Sequence, residues 1–282
     1  MATGIFAFGH GGGVLGPGYP GNSNFAIIPD LPAEYLRGTD ILDASADVVD
    51  LLSRPYWLLD CGTETARYLA GLNPWGKILT PMCRGVILTH CHDDHSGGLK
   101  ILAYRRRWGD GITEPLPLIY PEALREYVLQ QTVELGGVWY FEHRRDTPLG
   151  SPFFIRRSLA VDHNLRDAKG EPLAAFAYEL QITSAPYRGL VARGAYTLVA
   201  FSGDTAFPEY TRLMQSNYII HDVQGYDDGK SGAQVHCPYA WLRGAVPECR
   251  RRQVLLSHLG DFVPPQEDGF RVFKGGMLFV IS

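Results

Sequence analysis

Apolar residues along this chain come in short runs, each ended abruptly by small or polar residues. The clearest are Gly85-Val86-Ile87-Leu88-Thr89, Pro115 to Tyr120, Phe153 to Val161, Leu173 to Leu180, Tyr196 to Ala200, Gln253 to Leu256 and Met277 to Ile281. Runs of this length between turn residues predict buried strands. Helix-like stretches lie between them: Gly97-Gly98-Leu99 opens one, and Tyr239 to Val246 forms another. Strand-like and helix-like runs alternate from the first residues to the last, the signature of an α/β fold. A length of 282 residues suits a two-sheet α/β domain, so one domain over 1–282 is expected. The chain shows no repeat, no low-complexity tract and no long block of like charge.

The residues that end these runs carry the chemistry. His90-Cys91-His92-Asp93-Asp94-His95 directly follows the Gly85 to Thr89 run. A turn between strand and helix then presents three imidazoles and two carboxylates within six residues. Imidazole nitrogen and carboxylate oxygen are the ligands that Zn²⁺, Mn²⁺ and Fe favour. The alternating pair His90/His92 can grip one ion, and Asp94/His95, half a turn further on, a second. Further ligand-type residues stand at other strand ends: His163 after Phe153 to Val161, Asp204 after Tyr196 to Ala200, and His258 after Gln253 to Leu256. Loops at strand ends are where rigid scaffolds hold sites.

These motifs resemble, in order along most of the chain, the metallo-β-lactamase superfamily, and within it the branch of the tRNA 3′-processing endonucleases (RNase Z). The opening Phe8 to Gly13 is similar to the family's first hairpin. Trp57 to Gly62 resembles its Asp-containing strand end, and Thr89 to His95 matches its signature. Val161-Asp162-His163, Ser202-Gly203-Asp204-Thr205 and Ser257-His258 resemble its later ligand motifs. Ile219-Ile220-His221-Asp222 resembles a segment in which Glu is usual where this chain has Asp222. The resemblance implies an αββα sandwich of two mixed sheets flanked by helices. It also implies one metal on His90, His92 and His163 and another on Asp94, His95 and His258, with Asp204 and a hydroxide between them. The cofactors so implied are two divalent ions, zinc foremost and manganese as the alternative. Asp60 would orient a ligand imidazole, or simply cap a strand end.

His236, in Gly232 to Pro238, is not needed as a ligand. In the phosphodiesterase branch a histidine here protonates the leaving oxygen, although this chain reads His-Cys-Pro where the family has His-Ser-Thr. A general acid of this kind is worth roughly 10²–10⁴ in rate. Asp222 would hold its tautomer. Among the other histidines, His221 continues an apolar run and reads as core. His143, beside Arg144-Arg145, reads as solvated surface, and His10 as a turn residue or a neighbour of the site.

Composition narrows the substrate. Net charge is −4, with a pI near 6.1. The basic groups Arg105-Arg106-Arg107, Arg144-Arg145, Arg156-Arg157 and Arg250-Arg251-Arg252 are short and read as solvated faces, so no broad footprint for nucleic acid emerges. Bacterial tRNA-processing members insert a long arm before the bridging Asp. Here that interval, Gln181 to Ser202, is only 22 residues, and its Pro186 to Gly189 and Arg193-Gly194 suggest a tight hairpin. The trimmed plan resembles the phage anti-Pycsar phosphodiesterases and their bacterial homologues, which implies hydrolysis of small phosphodiesters, cyclic mononucleotides above all. Tyr226 or Tyr239 could stack on a base, or pack in the core. Relatives also imply a homodimer. No signal peptide or membrane-length run is present, and five cysteines without CxxC spacing suggest free thiols in the cytoplasm. The rival readings are an RNase Z acting on tRNA, a glyoxalase II-like thioesterase or lactonase, and a non-catalytic metal-binding module.

Overall fold

A computed structural model describes residues 2–9, 23–36, 40–132, 140–148, 151, 153–163, 172–183, 196–206, 213–224, 236–259 and 262–281. The expectations for His10, Tyr226 and the Pro186 to Gly194 hairpin fall outside these residues. Among the described residues the strands form two mixed sheets. The first contains β1 (Ala2–Ala7), β2 (Phe25–Leu31), β3 (Ile41–Asp43), β4 (Tyr56–Leu59), β5 (Cys83–Ile87), β6 (Leu116–Ile119), β7 (Phe141–Arg144) and β14 (Met277–Ile281), in the order β3-β14-β1-β2-β4-β5-β6-β7. The second contains β8 (Phe153–Val161), β9 (Ala175–Thr183), β10 (Tyr196–Phe201), β11 (Tyr218–Asp222), β12 (Val254–Ser257) and β13 (Arg271–Val272), in the order β13-β12-β11-β10-β9-β8.

The apolar runs follow from burial on both faces. In β4, Tyr56 and Leu58 pack towards the helices, whereas Trp57 and Leu59 pack between the sheets. A strand sandwiched in this way needs no polar face, so it reads as continuous rather than alternating. Gly85 makes room at this seam, because a Cβ there would sit 2.0 Å from the Trp57 ring. Helices Val48–Leu52, Thr63–Leu69, Leu99–Tyr104 and Arg125–Thr132 cover the outer face of the first sheet. Helix Tyr239–Ala245 covers the second sheet through Tyr239 and Leu242. Helix, sheet, sheet and helix are therefore stacked as an αββα sandwich, the expected class.

Strand direction places the site. β4, β5, β6 and β7 are parallel, so their C-terminal ends share one rim. In the second sheet β10, β11 and β12 are parallel. β8 runs the same way, because both it and β10 pair antiparallel with β9. The residues that follow β5, β8, β10 and β12 thus emerge together.

Some local expectations need correction. Helical backbone begins at Asp93, with a short turn Asp93–Ser96 before the helix Leu99–Tyr104. The helix expected to open at Gly97-Gly98-Leu99 is the second of these, with Gly98 as its N-cap; the preceding turn is the addition. His143 is not solvated surface: it lies in β7, half-buried, with its Nδ1 2.9 Å from the Tyr120 hydroxyl. Pairing of β7 with β6 creates that neighbour, which the adjacent arginines conceal. Several arginines are also structural. Buried Arg106 donates to the Thr80 and Cys83 carbonyls, and Arg156 and Arg157 pair with fully buried Glu179.

Candidate metal centre

Asp60, the residue after β4, organises the first half of the site. It adopts a left-handed backbone with φ 63°, a costly conformation for a residue with a Cβ. Its buried carboxylate accepts the Thr89 backbone N–H at 2.8 Å and the Thr89 hydroxyl at 2.6 Å. It also takes His95 Nδ1–H at 2.8 Å. Thr89 in turn accepts His90 Nδ1–H at 2.9 Å. The two reciprocal bonds fix both imidazoles with their Nε2 atoms turned away from the carboxylate, the supporting contact typical of ligand histidines. Asp60 is thus far more than a strand-end cap.

The second sheet completes the centre. His90, His92, His163 and Asp204 each offer one ligand atom, and these atoms all lie within 4.8 Å of one another. Asp94, His95, Asp204 and His258 form a second such set under the same limit. Asp204 Oδ2 belongs to both, lying 3.7 Å from His90 Nε2, 3.8 Å from His163 Nε2, 3.3 Å from His95 Nε2 and 3.9 Å from His258 Nε2. Asp94 Oδ2 lies 3.4 Å from His95 Nε2 and 3.8 Å from His258 Nε2. Donors about 2.0–2.1 Å from a tetrahedral zinc are separated by roughly 3.4 Å, so these spacings suit an ion at the centre of each set. Gly203 lets Asp204 in: its φ is +59°, and a Cβ would sit 2.8 Å from the Phe176 carbonyl.

The chemistry of the donors also fits cations. The Nε2 atoms of His90, His95, His163 and His258 are buried without a hydrogen-bond partner, as is Nδ1 of His163. Unpaired buried polar atoms are costly, and here they converge. Asp60, Asp204 and Asp222 are buried beside the partly buried Asp94, so four carboxylates crowd one pocket. Such a cluster needs positive charge. Burial, reinforced by His95, pushes the His90 pKa well below its ordinary value, and burial likewise lowers His92. Both therefore stand neutral, with a lone pair to donate. Burial would lower His95 too, but Asp204 and Asp60 outweigh it and raise its pKa well above normal. His258 is raised against burial by Asp204 and Asp222.

His236 and Asp222 meet beside this centre. His236 Nδ1 lies 2.9 Å from Asp222 Oδ2 and 3.9 Å from Asp204 Oδ2, and its ring stacks on His258 at 4.2 Å. Burial opposes its charge, yet Asp222 raises its pKa to about 9. The ordering of Asp222 is itself visible: its N–H donates to Ser202 Oγ at 2.8 Å.

All the candidate ligands, with His236 and Asp222, are therefore brought together. His221 is buried, as a core residue should be, with Nδ1 against the Asp222 carbonyl. Tyr239 is a core residue and not a stacking platform: it is buried against Phe262 and Phe270, and its hydroxyl donates to Asp268 at 2.6 Å. Cys91 and Cys237 offer no ligand atom to either set. Burial raises the thiol of Cys91 to about 12 and that of Cys237 further still.

Two contributors escaped the sequence reading. Thr89 reads in the sequence as a strand end and the first residue of the signature, with no sign of its bonds to Asp60 and His90. Asn24 is fully buried, donating Nδ2–H to the Asp94 carbonyl at 3.0 Å and accepting Gly62 N–H at 2.7 Å. It ties the signature turn to the N-cap of the earlier helix Thr63–Leu69. The polar Asn22-Ser23-Asn24 before an apolar run signals a turn, but nothing in it points to partners 38 and 70 residues away.

Comparison with known proteins gives the family and the fold. The family profile described as anti-Pycsar protein Apyc1 matches residues 51–280. The Apyc1 protein of Bacillus phage 010DV004 is 30% identical over 231 residues, covering 78% of this chain and 82% of the relative. Among solved structures, the metallo-β-lactamase fold protein YhfI from Bacillus subtilis superposes with a TM-score of 0.62 at 15% identity, over 99% of this chain and 100% of that one. Human tRNase Z, short form, gives 0.56 at 16% identity, over 99% and 98%.

Proposed function

The chain belongs to the anti-Pycsar Apyc1 family, and from that premise we propose that it is a dimetal phosphodiesterase acting on small phosphodiesters, cyclic mononucleotides foremost. The observation that carries the reading is the His236–Asp222 pair at 2.9 Å, set against two complete donor sets. A thioesterase or lactonase could use the ligands, but its chemistry leaves the pair without a task. A phosphodiester expels a poorly stabilised alkoxide and gains from a positioned acid.

His90, His92 and His163 would hold one ion, Asp94, His95 and His258 the other, and Asp204 both. Zinc is the expected metal, with manganese able to replace it in the test tube. When bound, such a pair supplies Lewis acidity on the phosphoryl oxygens and a water acidified towards neutral pKa. The chain's own residues do the rest. Asp60 and Thr89 keep His95 and His90 in the ligating tautomer. Asp222 accepts His236 Nδ1–H, which leaves the Nε2 proton of the imidazolium for the leaving oxygen. A nearby dication would draw the His236 pKa of about 9 down towards neutral, where an acid both holds and releases its proton.

The substrate reading is supported by the names of the relatives, the acidic balance and the 22-residue interval Gln181 to Ser202. A homodimer in the cytoplasm completes it, resting on the family resemblance and on five cysteines in the thiol form. Light scattering on purified protein tests the dimer.

A hydrolysis panel tests the reaction: 3′,5′- and 2′,3′-cyclic nucleotides, cyclic dinucleotides, bis-p-nitrophenyl phosphate, pre-tRNA and a thioester. Turnover of cyclic mononucleotides with little cleavage of pre-tRNA is expected. The reverse result would replace the substrate and leave the metal chemistry standing. His236→Ala should keep its metal and lose about 10²–10⁴-fold on a cyclic nucleotide. The loss should be much smaller on bis-p-nitrophenyl phosphate, whose leaving group scarcely needs a proton. Equal losses on both would remove the acid role.

A further inference from the structure

Asp222 has two oxygens, and they face two different histidines. Oδ2 accepts His236 Nδ1–H at 2.9 Å and the Thr205 N–H at 3.1 Å. Oδ1 is buried without a hydrogen-bond partner and lies 3.6 Å from His258 Nδ1. His258 presents its other nitrogen, Nε2, to Asp94 and Asp204. Its backbone is left-handed, with φ 60°, so the chain does not hold this ring in place cheaply. The two rings stack at 4.2 Å, which brings both Nδ1 atoms to the same carboxylate. Asp222, His236 and His258 accordingly bring ligand-type atoms within 4.8 Å of one another.

We infer that Asp222 is a shared positioning residue, one carboxylate that orients both the acid His236 and the ligand His258. Resting on the dimetal reading above, it adds a second task to Asp222 beyond fixing the tautomer of His236. A ligand imidazole whose other nitrogen meets a carboxylate is a stronger and better aimed donor, and losing that contact costs about 10–100-fold in metal affinity. At 3.6 Å the His258 contact is longer than a hydrogen bond, whereas the His236 contact is already made. Binding of an ion at Nε2 would draw Nδ1–H and Oδ1 together. Acid and metal would then be coupled through a single side chain, and neither could be perturbed at Asp222 without the other.

The test measures zinc affinity by chelator competition, independently of turnover, in the wild type, Asp222→Asn, His236→Ala and the double variant. Asn keeps the shape and one acceptor oxygen but cannot accept from both rings. Asp222→Asn should weaken one of two zinc ions by about 10–100-fold. His236→Ala should leave both affinities unchanged, and the double variant should match Asp222→Asn. Wild-type zinc affinity in folded Asp222→Asn, verified by circular dichroism, would overturn the inference, because Asp222 would then serve His236 alone. If Asn at 222 prevents folding, nitrogen-edited NMR of the zinc-loaded wild type decides. A far-downfield, slowly exchanging Nδ1 proton on His258 supports the shared carboxylate, and free exchange with water refutes it. Failure of the wild type to bind zinc or manganese would instead remove the dimetal reading, a separate and recognisable outcome.

Discussion

The two donor sets share Asp204 but are not built alike. In the Asp94/His95/His258 set, His95 backs directly onto the Asp60 carboxylate and His258 faces that of Asp222. Asp94 adds a further negative charge. In the His90/His92/His163 set, the unshared donors are all imidazoles, and burial keeps those of His90 and His92 neutral. The Nδ1 of His90 reaches a carboxylate through the Thr89 hydroxyl, and His163 has no hydrogen-bond partner on either ring nitrogen among the described residues. Supporting carboxylates raise ligand basicity and fix orientation. The first set should therefore grip its ion tightly and slowly, and the second should exchange more readily. An enzyme that must rearrange around a phosphoryl group gains from one firm ion and one adaptable one.

The largest effect is expected at the corner common to both. Asp204→Ala should lose both ions by elemental analysis and lower activity by more than about 10³-fold, since each ion contributes several kcal/mol of charge stabilisation. Retention of one ion would show that a set stands without the bridge. Next comes Asp60→Asn, which should weaken the Asp94/His95/His258 ion by about 10–100-fold and the other much less. Equal weakening of the two would end the claimed asymmetry. The smallest change is at Thr89→Val, which removes the hydroxyl's bonds to His90 Nδ1 and to the Asp60 carboxylate but leaves the backbone N–H on Asp60, and should weaken the ion on the His90 side by about 10-fold. Cobalt titration, following the two sites by their absorption bands, resolves these cases.

Much of this site could be read without coordinates, for a physical reason. The His90 to His95 turn holds four ligand-type residues in one hexapeptide, and its buried strand has to be apolar on both faces. His163, Asp204 and His258 are isolated, but each follows an apolar run that marks a strand end. Supporting residues carry no such marking. Asp60 acts on His95 across 35 residues and on Thr89 across 29. One hydrogen-bonding atom suffices for such a contact, so no pattern of neighbours is required. The assignment of His143 failed in the same way, because its partner Tyr120 is supplied by strand pairing 23 residues away. Tyr239 reads in the sequence as either a stacking platform or core, and a partner 29 residues away, Asp268, goes with the core reading.

The donors come from both sheets: His90 to His95 follow a strand of one, while His163, Asp204 and His258 follow strands of the other. Ions held there would act as a clasp across the mouth of the sandwich. By thermodynamic linkage, an ion at a hundred times its dissociation constant contributes about 2.7 kcal/mol to the folded state. Without a cation, the unpaired imidazoles and crowded carboxylates gathered at this rim cost folding free energy. Cofactor supply would then govern how long the molecule survives heat and proteolysis as well as how fast it works. Under the proposed dimetal reading, withholding the metal would remove the protein and not merely silence it.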